Sequence, residues 1–332
     1  MEIEKEVKSA GLTLRGSLRI AESLAMDSLA MDSMATDSAA IGSTATTSVK
    51  NPVVLILPGS GELDRNSNGA RIQLNIYNSL AEQLADLGIS SFRYDKRGCA
   101  ESDGNFQETG FYDLVDDARS CLAALSTFEE IREAPVYLLG HSEGTLLASL
   151  LSIENPDIGG QILLTPFLSS LEKTIERQMQ STLSELKQLP GLKGFMVKIF
   201  LTIGGNQLAK QRRIMQRVKR SRTDTIKVRK NVINAKWLRE HMNIEPAKIH
   251  QQVKVATLSI GGEKDMQCLP EDCETIVELI DAPVDAHLLS DLTHILRPDD
   301  QAASTFRYTE LAREPVDPRI SQLASAWIKQ QS

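Results

Sequence analysis

No apolar run in this chain approaches the roughly 18–20 residues that a membrane-spanning helix needs. Stable membrane insertion is therefore not expected. The opening Met-Glu-Ile-Glu-Lys-Glu lacks the apolar stretch of an export signal, which makes a cytoplasmic location the expectation. A surplus of positive charge is missing as well. The 44 Asp and Glu outnumber the 37 Lys and Arg, giving a net charge of −7, which opposes non-specific binding to nucleic acid. Cysteine is sparse: Cys99, Cys121, Cys268 and Cys273 form no C-x-x-C pair, and no histidines stand at zinc-ligand spacing beside them. Reduced structural thiols are expected and no metal, with a Cys268–Cys273 disulfide as the alternative.

What remains is an ordinary globular composition, 41% hydrophobic and 24% charged. The 332 residues suffice for one large core and an inserted subdomain. Even spacing of Leu12, Leu14 and Leu18 after the turn at Ser9-Ala10-Gly11 predicts a β-hairpin over 1–20. Serines then recur every five residues, from Ser23 through Ser28, Ser33, Ser38 and Ser43 to Ser48. A period of five keeps no face on a helix or a strand, so 22–49 is expected to be a low-complexity surface insertion.

From Asn51 short apolar strands alternate with amphipathic helices. Strands are predicted at Val53–Leu57, Ile89–Tyr94, Val136–Leu139, Gln161–Thr165, Val253–Ile260 and Ala286–Leu289. Helices are predicted at Ile72–Leu87, Leu114–Phe128, Gly144–Ile153, Asp272–Ile280 and Ile320–Ile328. Such alternation implies an α/β fold, a mainly parallel sheet with helices on both faces. Residues 166–246 break the rhythm. Leu168, Leu171, Ile175, Met179, Leu183 and Leu186 fall at helical spacing, and further helices are expected after them. The chain thus divides into a core (1–165), an inserted helical cap (166–246) and the rest of the core (247–332).

Gly140-His141-Ser142-Glu143-Gly144 matches G-x-S-x-G between an apolar strand and a helix. That is the setting of a nucleophile elbow, where the turn is too tight for flanking side chains. Ser142 is the candidate nucleophile and needs a base. Of the five histidines, His294 follows the last apolar strand and is the candidate, with His287 as the fallback. A carboxylate must then orient the imidazole. Asp265 lies just beyond a strand end and before His294, with Glu263 its rival. Backbone N–H groups of Ser60, in Pro58-Gly59-Ser60-Gly61, with Gly61 as its alternative, and of Glu143 are the candidate oxyanion-hole donors. Asp95 and Arg97 are expected to pair with each other.

The segments G-H-S-E-G, L-P-G-S-G-E-L-D-R-N-S-N, F-R-Y-D-K-R-G-C-A-E-S and G-G-E-K-D-M-Q resemble bacterial carboxylesterases of the α/β-hydrolase superfamily, in the serine aminopeptidase-like branch. The resemblance spans Asn51 to Leu296 and implies the α/β-hydrolase fold with an inserted helical cap. It also implies the triad Ser142, Asp265 and His294, and hydrolysis of short acyl esters without metal or cofactor. Pro58 stands where many relatives carry His, and the serine repeat is no part of the family pattern.

Residues 210–230 hold ten basic residues and only Asp224 as an acid, so this segment carries +9 and the rest of the chain −16. Ile214, Met215 and Val218 interleave with the charges, as on an amphipathic helix with a solvated basic face. Attraction of an anionic acyl substrate, a lipid surface or an acidic partner is the sharper alternative. No aromatics interleave, which disfavours single-stranded nucleic acid. The functional expectation is a serine hydrolase acting on a small-molecule ester of small to medium acyl groups. A thioesterase, an amidase or peptidase, an acyltransferase and a non-catalytic binding protein stay open, as does the oligomeric state.

Overall fold

The structure, a computed structural model, describes residues 1–21, 51–70, 72–191, 195–197, 201 and 205–331. The serine repeat over 23–48 lies outside the described residues. The N-terminal hairpin is β1 (Glu2–Ser9) and β2 (Leu12–Arg19), turned at Ala10 and Gly11, both with positive φ. Next come β3 (Val53–Leu57), α1 (Ile76–Asp86), β4 (Ser90–Tyr94), α2 (Phe111–Leu125), β5 (Val136–His141), α3 (Gly144–Glu154) and β6 (Gly160–Leu164). The chain then leaves the sheet through α4 (Leu171–Gln188), α5 (Gln207–Arg220), β7 (Thr225–Val228), β8 (Asn231–Asn234), α6 (Ala235–Met242) and α7 (Pro246–His250). It returns with β9 (Thr257–Gly262), α8 (Asp272–Leu279), β10 (Val284–Leu289), α9 (Tyr308–Leu311) and α10 (Pro318–Gln331).

The main sheet has eight strands in the order β1-β2-β4-β3-β5-β6-β9-β10. All pairs from β4 to β10 are parallel, and only β2 of the hairpin runs against them. Val53, Leu55 and Leu57 face α2 and α3, whereas Val54 and Ile56 face α1 and α10. Successive side chains of a strand point to opposite faces, so a strand covered on both must be apolar throughout. Leu57 pairs with Gly140, His141 with Leu164, and Leu164 with Ile260. β3, β5, β6 and β9 therefore end along one edge of the sheet.

Several boundaries differ from expectation. The first long helix begins at Ile76 rather than Ile72, because peptide groups of Asn68, Gly69, Ile72 and Gln73 are committed to one another. Asn68 bridges Gln73, and the Gly69 N–H donates to the Ile72 carbonyl at 2.9 Å. α2 begins at Phe111 because the Asp113 carboxylate accepts the Gly110 N–H at 2.7 Å and caps the helix there. The strand expected from Val253 is β9, beginning at Thr257. Val253 instead closes the turn after α7, donating to the His250 carbonyl at 3.1 Å. Its apolarity, like that of Val255, reflects packing in the core.

The insertion between β6 and β9 is not wholly helical, which corrects the sequence expectation. The basic segment is a helix only to Arg220. Thr225, Ile226, Val228, Val232 and Ile233 then form the β7–β8 hairpin, as β-branched residues favour. Leu171, Val218, Ile226, Ala235, Leu238 and Met242 make a small core within the insertion. Arg212 pairs with Glu176, and Lys219 with Glu172 at 2.6 Å. Among the described residues Arg213, Arg217, Arg220, Arg222, Lys227, Arg229 and Lys230 form no ion pair, and all are exposed. No described helix is long and apolar enough to cross a membrane. The four cysteines are free and buried, so the alternative Cys268–Cys273 disulfide is absent.

Candidate active site

Ser142 sits between β5 and α3 with φ of 54°, in the left-handed region that ordinary residues avoid. The turn is enforced by crowding. A Cβ on Gly140 would lie 2.2 Å from the Gly144 carbonyl oxygen, and one on Gly144 2.1 Å from that of Leu57. Only glycine fits at either position. The Ser142 N–H donates to the Leu164 carbonyl at 3.0 Å, tying the elbow to the end of β6.

Asp265 occupies the loop after β9. One carboxylate oxygen accepts the N–H groups of Gln267 at 2.7 Å and Cys268 at 2.8 Å. The other lies 2.8 Å from Nδ1 of His294, and both residues are buried. A carboxylate can only accept, so the proton sits on Nδ1 and Nε2 is left as a free base. The loop carrying His294 is pinned by the buried Arg297, which donates to the carbonyls of Ile295 and Glu314 at 2.9 and 2.8 Å. Burial pushes the Arg297 guanidinium down to about 10.

The rival residues go elsewhere. Glu263 is exposed, with its backbone N–H bonded to Leu289, and His287 lies within β10. His141 is held through both nitrogens, Nδ1 3.0 Å from the Tyr77 hydroxyl and Nε2 3.0 Å from the His294 carbonyl. Burial drives His141 down to about 3, which keeps it neutral. The expected pairing of Asp95 with Arg97 does not form. Asp95 reaches back to Arg65 at 2.8 Å, whereas Arg97 reaches forward to Asp117 on α2 at 2.6 Å.

The loop after β3 runs against the elbow: a Cβ on Gly59 would lie 3.4 Å from Cβ of Ser142. Among the described residues neither the Ser60 nor the Glu143 N–H has a hydrogen-bond acceptor. Ser60, Ser142 and Glu143 line a cavity of about 140 Å³, closed by Leu171, Thr174, Ile175 and Gln178 of α4 and Trp237 and His241 of α6. A roomier cavity of about 630 Å³ lies at the opposite edge, where β5 and β6 begin, away from these groups.

Three contributors had no signal in the sequence. Trp237 Nε1 donates to the buried Glu143 carboxylate at 2.7 Å, fastening the insertion to the elbow. Burial and the Asp265 charge push the Cys268 thiol up, so this neighbour of the Ser142 hydroxyl stays protonated. Lys96 is buried beneath the loop after β3. Asp265, Cys268 and His294 have donor atoms within 4.8 Å of one another, a set that could hold a metal ion. Asp265, however, is already engaged through both oxygens.

A family profile described as serine aminopeptidase, S33, matches residues 67–300. A monoglyceride lipase homolog of monkeypox virus is 32% identical over 108 residues, 31% of this chain and 38% of that protein. The monoglyceride lipase of Rattus norvegicus is 31% identical over 104 residues, 31% of this chain and 34% of that protein. The match thus spans little more than a third of either relative. Among solved structures, Est1E from Butyrivibrio proteoclasticus with bound ferulic acid superposes with a TM-score of 0.56 at 14% identity, covering 98% of this chain and 96% of that one. The α/β hydrolase GrgF from Penicillium sp. sh18 gives 0.58 at 16% identity, covering 100% and 99%. At such identities the likeness is one of fold, and the fold is that of the α/β-hydrolases.

Proposed function

The chain belongs to the serine aminopeptidase S33 family of α/β-hydrolases, and on that premise we propose that it hydrolyses carboxylic esters through an acyl-enzyme on Ser142. The observation that carries this is the 2.8 Å contact between Asp265 and Nδ1 of His294, at the sheet edge where Ser142 is held at positive φ. Ser142 Oγ attacks the ester carbonyl while Nε2 of His294 takes its proton. The N–H groups of Ser60 and Glu143 receive the oxyanion. Collapse expels the alcohol, which takes the proton back from His294. Water then attacks the acyl-enzyme, giving its proton to His294, and Ser142 departs with that proton as the acid is released.

Residues 166–246 act as a cap, since α4 and α6 close the cavity over Ser142. At about 140 Å³ the cavity is well below the roughly 300 Å³ where sites for drug-sized ligands begin, which favours small acyl groups. The monoglyceride lipase relatives support an ester as the substrate. Four free thiols suit a reducing compartment such as the cytoplasm. The test is labelling by a fluorophosphonate and turnover of p-nitrophenyl esters of graded length, beside Ser142→Ala. Labelling and turnover that vanish in the variant, with short esters preferred, are expected. A folded protein that is not labelled would end the hydrolase proposal. Labelling without ester turnover would redirect it to thioesters, amides or acyl transfer.

A further inference from the structure

The loop after β3 is gripped from two sides by groups outside the triad. On one side lies Lys96, 2% exposed, just past the end of β4. Its ammonium donates to the Gly59 carbonyl at 2.9 Å and to the Gly61 carbonyl, and it sits 5.3 Å from the centre of the Phe106 ring. Its hydrogen-bond partners are carbonyl dipoles, and among the described residues no carboxylate forms an ion pair with it. On the other side the Gly59 N–H donates to the Tyr77 hydroxyl oxygen at 2.8 Å.

Proton bookkeeping gives this second grip a direction. The His294 carbonyl can only accept, so Nε2 of His141 carries hydrogen. In a neutral imidazole Nδ1 must then accept, so the Tyr77 O–H donates to it. One ordered chain results. It runs from the Gly59 N–H to Tyr77 and on to His141 in the elbow, whose other nitrogen donates to the backbone of His294. The three loops that carry oxyanion donor, nucleophile and base are joined through two buried side chains.

The planar peptide converts these grips into an orientation. In a trans peptide the carbonyl of one residue and the N–H of the next point in opposite directions. With the Gly59 carbonyl drawn toward Lys96, the Ser60 N–H must point away from it. Ser60 lines the cavity beside Ser142. We propose that Lys96, Tyr77 and His141 are positioning residues that clamp the loop after β3 so that the Ser60 N–H is aimed at the oxyanion before substrate arrives. The clamp rests on the hydrolase function proposed above. It adds that preorganisation of the hole is supplied by a buried lysine and a tyrosine–histidine relay.

A misaimed donor weakens binding of the oxyanion and leaves binding of the ground-state ester nearly untouched. Lys96→Met keeps the stem and removes the ammonium. It is expected to lower kcat about 100-fold and leave KM within about threefold, since ground-state contacts persist. Affinity for phenylboronic acid, whose tetrahedral Ser142 adduct places a hydroxyl of the anionic boronate in the hole, should fall in parallel with kcat/KM. Tyr77→Phe should show the same signature at about 10-fold, because Lys96 still holds the Gly59 carbonyl, the group in the same peptide plane as the Ser60 N–H. Lys96→Arg, which keeps a donor, should recover part of the loss. If Lys96→Met fails to fold by circular dichroism, Tyr77→Phe decides alone. Unchanged kcat and boronate affinity in folded variants, with Ser142→Ala inactive, would overturn the clamp and leave the hydrolase standing. Full activity in Ser142→Ala would remove both.

Discussion

Burial sorts the histidines of this chain into different kinds of residue. His141 and His250 are held neutral by burial, at about 3 and about 4, and burial lowers His241 as well. In the unfolded chain each would take up a proton near the ordinary value of about 6.5. Between that value and the folded one the unfolded state binds more protons, so stability rises with pH across the window and is fully present only above it. Each such histidine should remove up to about 1.4 kcal/mol per pH unit as the solution is acidified below 6.5. Denaturant midpoints measured from pH 7 to pH 4.5 should fall accordingly. His250→Asn, which can keep the 2.9 Å contact to Ser149, should fall less steeply. An equal slope in the variant would show that His250 does not contribute. The sequence singled out His294, the proposed base, because it follows the last apolar strand. It could not show that His141 joins three loops, because its partners Tyr77 and His294 are 64 and 153 residues away.

Among the elements, those of the sheet were legible and those of the insertion only in part. A strand such as Val53–Leu57 announces itself because burial on both faces leaves no room for a polar residue. The β7–β8 hairpin gave no such sign. Each of its strands has four residues, and its turn is Arg229-Lys230, with Arg229 at φ 57°, where glycine or asparagine would have marked it. Helix starts moved by a few residues where a local loop or a capping side chain claimed the first peptide groups, as Asp113 does for α2. The insertion is fastened to the core at α6, through the Trp237 bond to Glu143 and the bonds of the Asn234 side chain to the carbonyls of Phe106 and Thr109. Trp237→Phe removes the donor and leaves a buried carboxylate without it, at a cost of about 1–3 kcal/mol. Loosened docking of α6 should lower the thermal midpoint and admit longer acyl chains into the cavity. A variant with wild-type midpoint and chain-length profile would show that this bond does not hold the insertion down.

Across the whole molecule, strand order is the feature least accessible to sequence patterning. β4 lies between β2 and β3, so strands consecutive in the chain, such as β2 and β3 or β4 and β5, are not adjacent in the sheet. Charge is the feature most unevenly distributed. The segment 210–230 carries +9 while the rest carries −16, and seven of its cations are exposed and unpaired among the described residues. A protein of net charge −7 would ordinarily pass through a sulfonate column at neutral pH. A chromatography matrix, however, senses the nearest face within a Debye length of about 10 Å at 0.1 M salt rather than the net charge. The chain should therefore be retained on both anion- and cation-exchange resins at pH 7 and low salt, and leave the sulfonate resin as salt rises. Replacing Arg213, Arg217 and Arg220, which share one side of α5, by glutamine should abolish the second retention and spare the first. Flow-through of the unaltered protein would mean that the acidic remainder screens the basic face. The same polarity would turn each molecule, before any contact is made, to meet a negative surface insertion-first.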